Sequence, residues 1–230
     1  MMNIEGFNKL TLLDYPGCVA CTVFTGGCDL RCPFCHNSQL VLAPNFAPID
    51  ESEVFAVLEK RRRTLDGVAV TGGEPLLQPD LADFLARVKE MGFRVKLDTN
   101  GTHPERLASL IRRGLVDTVA MDIKNCPARY AETVGIKNFD ITPIRASAAL
   151  LLGGSLPYEF RTTTVAEFHD EASFVGIGEL IAGAEKYYIQ NFVDSGSLIG
   201  EGLHARTPDE LRAYAEIARS YAHHVEVRGI

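Results

Sequence analysis

From Val19 to Cys35 the chain reads VACTVFTGGCDLRCPFC, a predicted buried strand followed directly by a group of cysteines. The first six residues, Val19–Phe24, are small, β-branched or aromatic, as expected for a strand covered on both faces. Two glycines then end the strand. Three cysteines follow within eight residues, at Cys28, Cys32 and Cys35. The sequence therefore places these thiols just beyond the carboxyl end of a strand.

Strands and helices alternate along the rest of the chain. Further strands are predicted near 68–71, 94–98, 118–123, 158–165 and 186–190, with a last one possible at 224–228. Helices are predicted at about 51–63, 79–92, 104–114, 139–152, 171–183 and from 207 onward. Six strands separated by helices indicate an α/β fold with a parallel sheet and helical crossovers. The periodicity fits both an open doubly wound sheet and a sheet curved into a partial barrel.

Length and composition are those of a packed protein domain. The chain has 230 residues, of which 46% are hydrophobic and 23% charged. These values predict a single domain over 1–230, with a core at about 18–190 and a C-terminal helix and strand at about 207–228. The net charge of −7 argues against a general nucleic-acid-binding protein. We interpret the basic run Lys60–Arg63 as the solvated end of a helix.

The sequence also predicts the compartment. It contains neither an apolar signal core at its start nor an apolar run of about 18 residues, so we expect a cytoplasmic protein without a membrane partner. In the reducing cytoplasm its six cysteines favour metal binding or catalysis over disulfide formation.

The C-x3-C-x2-C spacing of Cys28, Cys32 and Cys35 favours a [4Fe–4S] cluster. Such a cluster has four irons, so three cysteines leave one iron open, as catalytic metal sites require. Structural zinc with a fourth ligand from elsewhere is the main alternative, and unliganded core thiols are a third. We interpret Cys21 as a core residue of the first strand. Cys18 and Cys126 receive no role.

Polar and glycine residues follow the later strands. Thr71–Pro75 (TGGEP) follows the second strand, Asp98–Gly101 (DTNG) the third, and Asp122 and Lys124 the fourth, while Arg161 lies on the fifth. Consecutive parallel strands end at one edge of a sheet, where active sites lie. Burying these charges costs several kcal/mol each unless they are paired or liganded. A zwitterionic ligand with amino, carboxylate and ribose groups would satisfy them.

These motifs resemble those of the radical S-adenosylmethionine superfamily, whose signature is C-x3-C-x-aromatic-C. Within it the chain resembles the glycyl-radical activating enzymes, and most closely the longer activating proteins of anaerobic ribonucleoside-triphosphate reductase. The resemblance covers about residues 5–165. Its supporting stretches are 7–17 (FNKLTLLDYPG), 35–37 (CHN), 71–75, 98–101 and 121–124 (MDIK).

The resemblance implies a fold, a cofactor set and roles for individual residues. The fold would be a partial (β/α)6 TIM-like barrel. One [4Fe–4S] cluster would be held by the three cysteines, and S-adenosylmethionine would chelate its open iron. Gly72, Gly73 and Glu74 would contact the amino group of that ligand. The remaining predicted ligand contacts are Phe34 and Asn37 near the adenine, Asp98, Asp122 and Lys124 along the polar groups, and Arg161 at the carboxylate.

The implied reaction is reductive cleavage of S-adenosylmethionine to methionine and a 5′-deoxyadenosyl radical, which takes a hydrogen atom from a glycine of a partner enzyme. The expected partners are a glycyl-radical enzyme, most closely anaerobic ribonucleoside-triphosphate reductase, and flavodoxin or ferredoxin as electron donor. No cysteine lies between Cys35 and Gly72, so the ferredoxin-like insertion of some activating enzymes is absent. The segment 190–206 matches no motif and receives no role.

Two other functions remain open at this point. The Gly-Gly-Glu and Asp-Ile-Lys stretches also resemble 7-carboxy-7-deazaguanine synthase, a compact radical enzyme with a purine-like substrate site. A non-catalytic zinc or electron-transfer module would use the same cysteines without cleaving a ligand.

Overall fold

The computed structural model describes residues 2–43 and 48–230 as an α/β fold. In its sheet, neighbouring strands are also consecutive in the sequence. The strands are β1 (Ile4–Thr11), β2 (Ala20–Thr25), β3 (Gly67–Gly72), β4 (Arg94–Thr99), β5 (Thr118–Asp122), β6 (Tyr158–Thr164), β7 (Ala184–Asn191) and β8 (Ala222–Arg228). The helices are α1 (Ser38–Leu42), α2 (Glu51–Lys60), α3 (Leu81–Glu90), α4 (Pro104–Arg112), α5 (Tyr130–Thr133), α6 (Thr142–Leu152), α7 (Glu171–Leu180) and α8 (Pro208–Ala218).

The expected fold class is confirmed, with one strand that the sequence did not reveal. The predicted strands and helices all occur, with ends that differ by a few residues. The additional strand, β1, runs antiparallel to β2. Only its first and last residues, Ile4 and Thr11, are buried, so it lacks the alternation of apolar and polar residues by which a strand is recognised.

The chain forms two compact units. The first comprises Met1–Asp29, Gln39–Thr99 and Glu105–Val119. In it β2 pairs in parallel with β3, and β3 with β4, so that Val23, Val70 and Leu97 lie side by side. All three side chains are fully buried. The short apolar strands thus form the core of this unit, as their composition predicts.

The second unit comprises Leu30–Ser38, Asn100–Pro104 and Ala120–Ile230. Here β6 pairs in parallel with β7, and β7 with β8. Helices α7 and α8 pack through stacked rings of Phe174 and Tyr214, whose centroids are 4.4 Å apart. The run Thr207-Pro208-Asp209-Glu210 predicts a capping box at the start of α8, and Thr207 and Glu210 form it in the structure.

At the start of α2, Asp50 followed three residues later by Glu53 predicts a capping box. The structure differs in one partner, because the Asp50 side chain accepts a hydrogen bond from the backbone N–H of Ser52. The helix still has the expected N-cap residue. Among the residues described, no helix combines the length and apolar character that crossing a membrane requires.

Candidate active site

We call residues 26–38, which follow β2, the cysteine loop. It contains Cys28 in the first unit and Cys32 and Cys35 in the second. The backbone N–H of Cys35 donates to the carbonyl of Cys32 at 3.0 Å, which closes a tight turn between these two thiols. The N–H of Arg31 donates to Val134 O at 2.9 Å and fixes the start of that turn. The backbone therefore holds Cys32 and Cys35 in one local turn.

The thiols of this turn lie in a poorly solvated place next to a cation. Burial raises the pKa of Cys32 to about 11, while the Lys124 ammonium works in the opposite direction. Burial also raises the pKa of Cys35, and the backbone N–H of Asn37 opposes it. A thiol of this kind ionises readily only when a metal replaces its proton, since the thiolate is the ligand form.

The donor set suits a soft metal group. Thiolates select iron–sulfur clusters and zinc over hard cations, so the chemistry of this loop fits the cluster implied by the sequence. In the described part of the chain, no group of three or more His, Cys, Asp or Glu side chains is arranged to hold a single metal ion.

The glycines of the TGGEP stretch lie against the backbone that leads to Cys28. Gly72 has φ +124°, and a Cβ there would overlap the backbone of Thr25. A Cβ on Gly73 would overlap the carbonyl oxygen of Gly27. The N–H of Gly73 donates to Thr25 O at 2.9 Å, and that of Glu74 to Gly27 O at 2.8 Å. These glycines thus permit close contact between two stretches of backbone, in addition to any role towards a ligand.

Glu74 is fully buried and already has polar contacts. Its Oε1 accepts from the N–H of Leu76 at 3.0 Å and from the Thr99 hydroxyl at 2.8 Å. The carboxylate therefore caps the 3-10 turn Pro75–Leu77 and links it to the end of β4. The resemblance implied that Glu74 contacts the amino group of a ligand, and the structure shows that it also holds this turn.

Asp98, on β4, forms an ion pair with Lys96 two residues earlier. Residues i and i+2 of a strand point to the same face, which explains the pairing. The ammonium of Lys96 is almost fully buried, so Asp98 neutralises a charge that would otherwise be costly. The sequence pattern indicated Asp98 but not its partner Lys96.

Asp122, Lys124 and Arg161 form one charged group in the second unit. Lys124 Nζ lies 2.9 Å from Asp122 Oδ2, and Arg161 Nε lies 3.0 Å from Asp122 Oδ1. Desolvation would raise the pKa of the Asp122 carboxyl, but the two cations outweigh it and hold that pKa well below its usual range. Lysine and arginine side chains of this kind are the usual partners of an anionic ligand group.

Phe34 and Asn37 lie on either side of Cys35 in the sequence. Phe34 is buried, and its ring centroid lies 6.0 Å from that of Phe168, which precedes α7. Asn37 is half-buried and directs its backbone N–H to the Cys35 sulfur. Phe34 therefore serves packing, whatever its role towards a ligand.

Tyr130 and His169 belong to the site although no motif revealed them. The Tyr130 hydroxyl accepts from the N–H of Lys124 at 3.4 Å. His169 is fully buried, with Nε2 2.8 Å from Lys124 O and Nδ1 3.1 Å from Val165 N. Burial lowers the pKa of His169 to about 4. These two side chains fix the backbone at the end of β5 and hence the position of Lys124.

The other three cysteines are buried in the described structure. Cys21 is fully buried within β2, as its core interpretation predicts. The Cys18 N–H donates to Tyr15 O at 3.0 Å in the turn before that strand. Cys126 packs closely against Gly176, where an added Cβ would lie 2.7 Å from the Cβ of Cys126. Packing accounts for all three positions.

Comparison with known proteins gives one profile match, described as the Radical SAM superfamily, over residues 22–143. MJ1227 of Methanocaldococcus jannaschii, whose name assigns it provisionally to the glycyl-radical enzyme activating enzymes, is 33% identical over 99% of this chain and 96% of its own. The pyruvate formate-lyase-activating enzyme of Clostridium pasteurianum is 32% identical over 54% of this chain and 53% of its own. The 7-carboxy-7-deazaguanine synthase of Methanopyrus kandleri is 37% identical over 43% of this chain and 46% of its own.

The fold is also found in solved structures. Streptococcus suis SuiB bound to S-adenosylmethionine has a TM-score of 0.68 at 14% identity, over 88% of this chain and 48% of that one. At this identity the likeness concerns the fold alone.

Proposed function

Because the chain belongs to the radical S-adenosylmethionine superfamily, we propose that it activates a glycyl-radical enzyme. Membership implies a [4Fe–4S] cluster and S-adenosylmethionine. The observation that carries the proposal is the 33% identity to MJ1227, which extends over 96% of that protein. The match to a pyruvate formate-lyase-activating enzyme supports the same class. The partner that the sequence motifs favour is anaerobic ribonucleoside-triphosphate reductase.

In this proposal Cys28, Cys32 and Cys35 hold one cluster and leave one iron for the amino and carboxylate groups of S-adenosylmethionine. When bound, the cluster, reduced by flavodoxin or ferredoxin, would supply the one electron that breaks the sulfonium C–S bond of S-adenosylmethionine to give methionine and a 5′-deoxyadenosyl radical, and that radical would take a hydrogen atom from the partner's glycine. The protein contributes binding, orientation and exclusion of water.

The charged residues contact different groups of the ligand. Arg161 meets the carboxylate, and Lys124, which like Arg161 is paired with Asp122, meets the ligand's polar groups. Glu74 and the neighbouring Gly72 and Gly73 meet the amino group. The remaining contacts are Asp98 and Asp122 along the polar groups and Phe34 and Asn37 near the adenine.

The proposal is tested by electron paramagnetic resonance. The protein is reconstituted anaerobically, reduced with dithionite and mixed with S-adenosylmethionine and a candidate glycyl-radical enzyme. A new glycyl signal on anaerobic ribonucleoside-triphosphate reductase would support the proposal and its partner. Cleavage of S-adenosylmethionine without a glycyl signal on any partner tested would contradict glycyl-radical activation. Flavodoxin and ferredoxin are then compared as replacements for dithionite.

A second function is favoured by the 37% identity to a 7-carboxy-7-deazaguanine synthase, although that match spans only 118 residues. Its test is incubation of the reduced, reconstituted protein with 6-carboxytetrahydropterin and S-adenosylmethionine. Formation of a deazaguanine would replace the activase proposal, whereas unchanged substrate would remove this alternative.

A further inference from the structure

The connection between β7 and α8 is longer than the roughly 12–15 residues beyond which irregular loops are usually functional. We call residues 192–206 of this connection the strap. Its two ends are joined to each other, because Asn191 Nδ2 donates to Arg206 O at 2.9 Å and the Arg206 N–H donates to Asn191 Oδ1 at 3.1 Å. The strap is therefore a closed loop with a fixed base.

The base of the strap is bound to the turn between β6 and α7. The N–H of Ala166 donates to His204 O at 2.9 Å, and His204 Nδ1 lies 2.8 Å from Glu167 Oε1. Arg206 Nη2 donates to Ala166 O at 2.8 Å. These bonds fix the C-terminal end of the strap to that turn.

The tip of the strap lies on the cysteine loop. The N–H of Gly200 donates to the carbonyl of Pro33 at 2.7 Å. The hydroxyl of Ser38, which is buried, donates to Ser197 O at 2.8 Å, and the two serine hydroxyls are 3.1 Å apart. The strap thus contacts the cysteine loop on both sides of Phe34 and Cys35. A Cβ on Gly200 would lie 2.7 Å from the Pro33 Cβ, so this contact requires glycine.

Two further glycines set the path of the tip. Gly196 has φ +74° and Gly202 has φ +68°, a conformation that other residues rarely adopt. A Cβ at either position would meet open space, so the backbone turn alone accounts for glycine there. The N–H of Gly196 also donates to Asp194 Oδ1 at 2.7 Å. The two glycine turns therefore bound the segment 197–201, which contains Ser197 and Gly200, both of which contact the cysteine loop.

From these contacts we infer that the strap is a positioning element for the cluster-binding loop, with Gly200 and Ser197 holding the turn that carries Cys32 and Cys35. This inference rests on the proposed function in one respect, since it assigns the held loop to an iron–sulfur cluster. Without the strap, the buried Ser38 hydroxyl and the Pro33 carbonyl lose their partners, and the turn gains freedom to release its ligand.

The first test is Gly200→Ala, which pushes the strap off Pro33. Relative to wild type, we expect the reconstituted protein to lose iron to a chelator on the order of tenfold faster. We also expect shifted g values for the reduced cluster, a change that a general loss of stability would not cause. Ser195→Ala, at an exposed strap position, is the matched control and should behave as wild type.

The second test changes a residue of the cysteine loop that contacts the strap. It keeps the inference testable if Gly200→Ala fails to fold. Ser38→Ala removes the hydroxyl that donates to Ser197 O. Hydrogen exchange of the metal-free protein should become faster in residues 192–206 for this variant, and in 30–38 for Gly200→Ala. Exchange and iron loss equal to those of Ser195→Ala in both variants would overturn the inference.

These measurements also separate the inference from the proposed function. If wild-type protein bound no iron under any reconstitution conditions, the cluster and the strap's role in holding it would both fail. If instead iron bound but no partner acquired a glycyl signal, the activase proposal would fail, while the chelator and exchange measurements would still decide the role of the strap.

Discussion

Asp122 and Lys124 are joined by an ion pair, with Lys124 Nζ 2.9 Å from Asp122 Oδ2, and the other carboxylate oxygen accepts from Arg161. Asp122→Asn removes the negative charge that both cations contact. We expect the free energy of unfolding to fall by about 2 kcal/mol, because removing one partner of a shielded ion pair costs more than the pair is worth. Denaturant unfolding measures this change.

The control for this prediction is the exposed pair of Asp209 and Arg212, in which the Asp209 side chain is 93% exposed. Asp209→Asn should change the unfolding free energy by less than about 0.5 kcal/mol, since surface ion pairs contribute little. Equal effects of the two substitutions would show that the Asp122 group is no more than a solvated contact.

Cys32→Ala should abolish cluster binding and cleavage of S-adenosylmethionine, because two thiolates hold iron poorly. The measurement is iron per chain after anaerobic reconstitution, together with 5′-deoxyadenosine by chromatography. Cys21→Ala is the matched control, since that thiol is buried in β2 and should affect stability while leaving iron content unchanged. Continued 5′-deoxyadenosine production by Cys32→Ala would contradict the assignment.

Glu74 calls for two substitutions, because its carboxylate both caps a turn and carries charge. Glu74→Gln keeps an acceptor for Leu76 N and Thr99 while removing the charge. We expect S-adenosylmethionine to bind on the order of tenfold more weakly, with normal iron content. Glu74→Ala should in addition lower stability by about 1–3 kcal/mol, because buried donors lose their partner. Binding titrations and iron analysis separate the two effects, and iron loss that matched the loss of binding would make the residue purely structural.

Gly73→Ala should displace the backbone that leads to Cys28, because the new Cβ overlaps the Gly27 carbonyl oxygen. We expect a loss of about 2 kcal/mol or more in the free energy of unfolding and a lower iron content. Gly153→Ala is the comparison, since Gly153 has an ordinary negative φ and its nearest neighbour lies 3.3 Å from the added Cβ. Gly73→Ala with wild-type stability and iron would show that the contact is not required.

His169 should make stability depend on pH. Burial lowers its pKa from 6.5 to about 4, so the unfolded chain binds a proton in a range where the folded protein does not. The stabilisation is therefore complete above about pH 6.5 and is lost as the pH falls towards 4, by up to ~3 kcal/mol. The unfolding free energies of wild type and His169→Gln should converge as the pH falls through this range. A constant difference would contradict the assignment.

Much of the fold follows from the sequence because the inner strands are short apolar runs between helices with clear ends. Val23, Val70 and Leu97 are neighbours in the sheet, as a parallel arrangement of such runs predicts. Strand β1 escaped prediction because three of its eight residues are exposed and only its first and last are buried, so burial left little pattern in its residues.

The site was predicted only in part, and the reason is physical. Asp98, Asp122 and Lys124 stand out because charges at strand ends need partners. Their partners Lys96 and His169 do not, because an isolated lysine in a strand or histidine in a loop is ordinary until the chain brings it to a specific atom. The strap escaped prediction for a related reason. It contacts the cysteine loop mainly through backbone groups, which every residue has and which therefore leave no mark in the sequence.

The assignment of an iron–sulfur cluster and S-adenosylmethionine to this chain is tested by anaerobic reconstitution of the wild-type protein, followed by reduction and addition of S-adenosylmethionine. We expect four irons per chain, a resonance of the reduced cluster that changes when S-adenosylmethionine binds, and formation of 5′-deoxyadenosine. One zinc per chain, without iron and without 5′-deoxyadenosine, would contradict it.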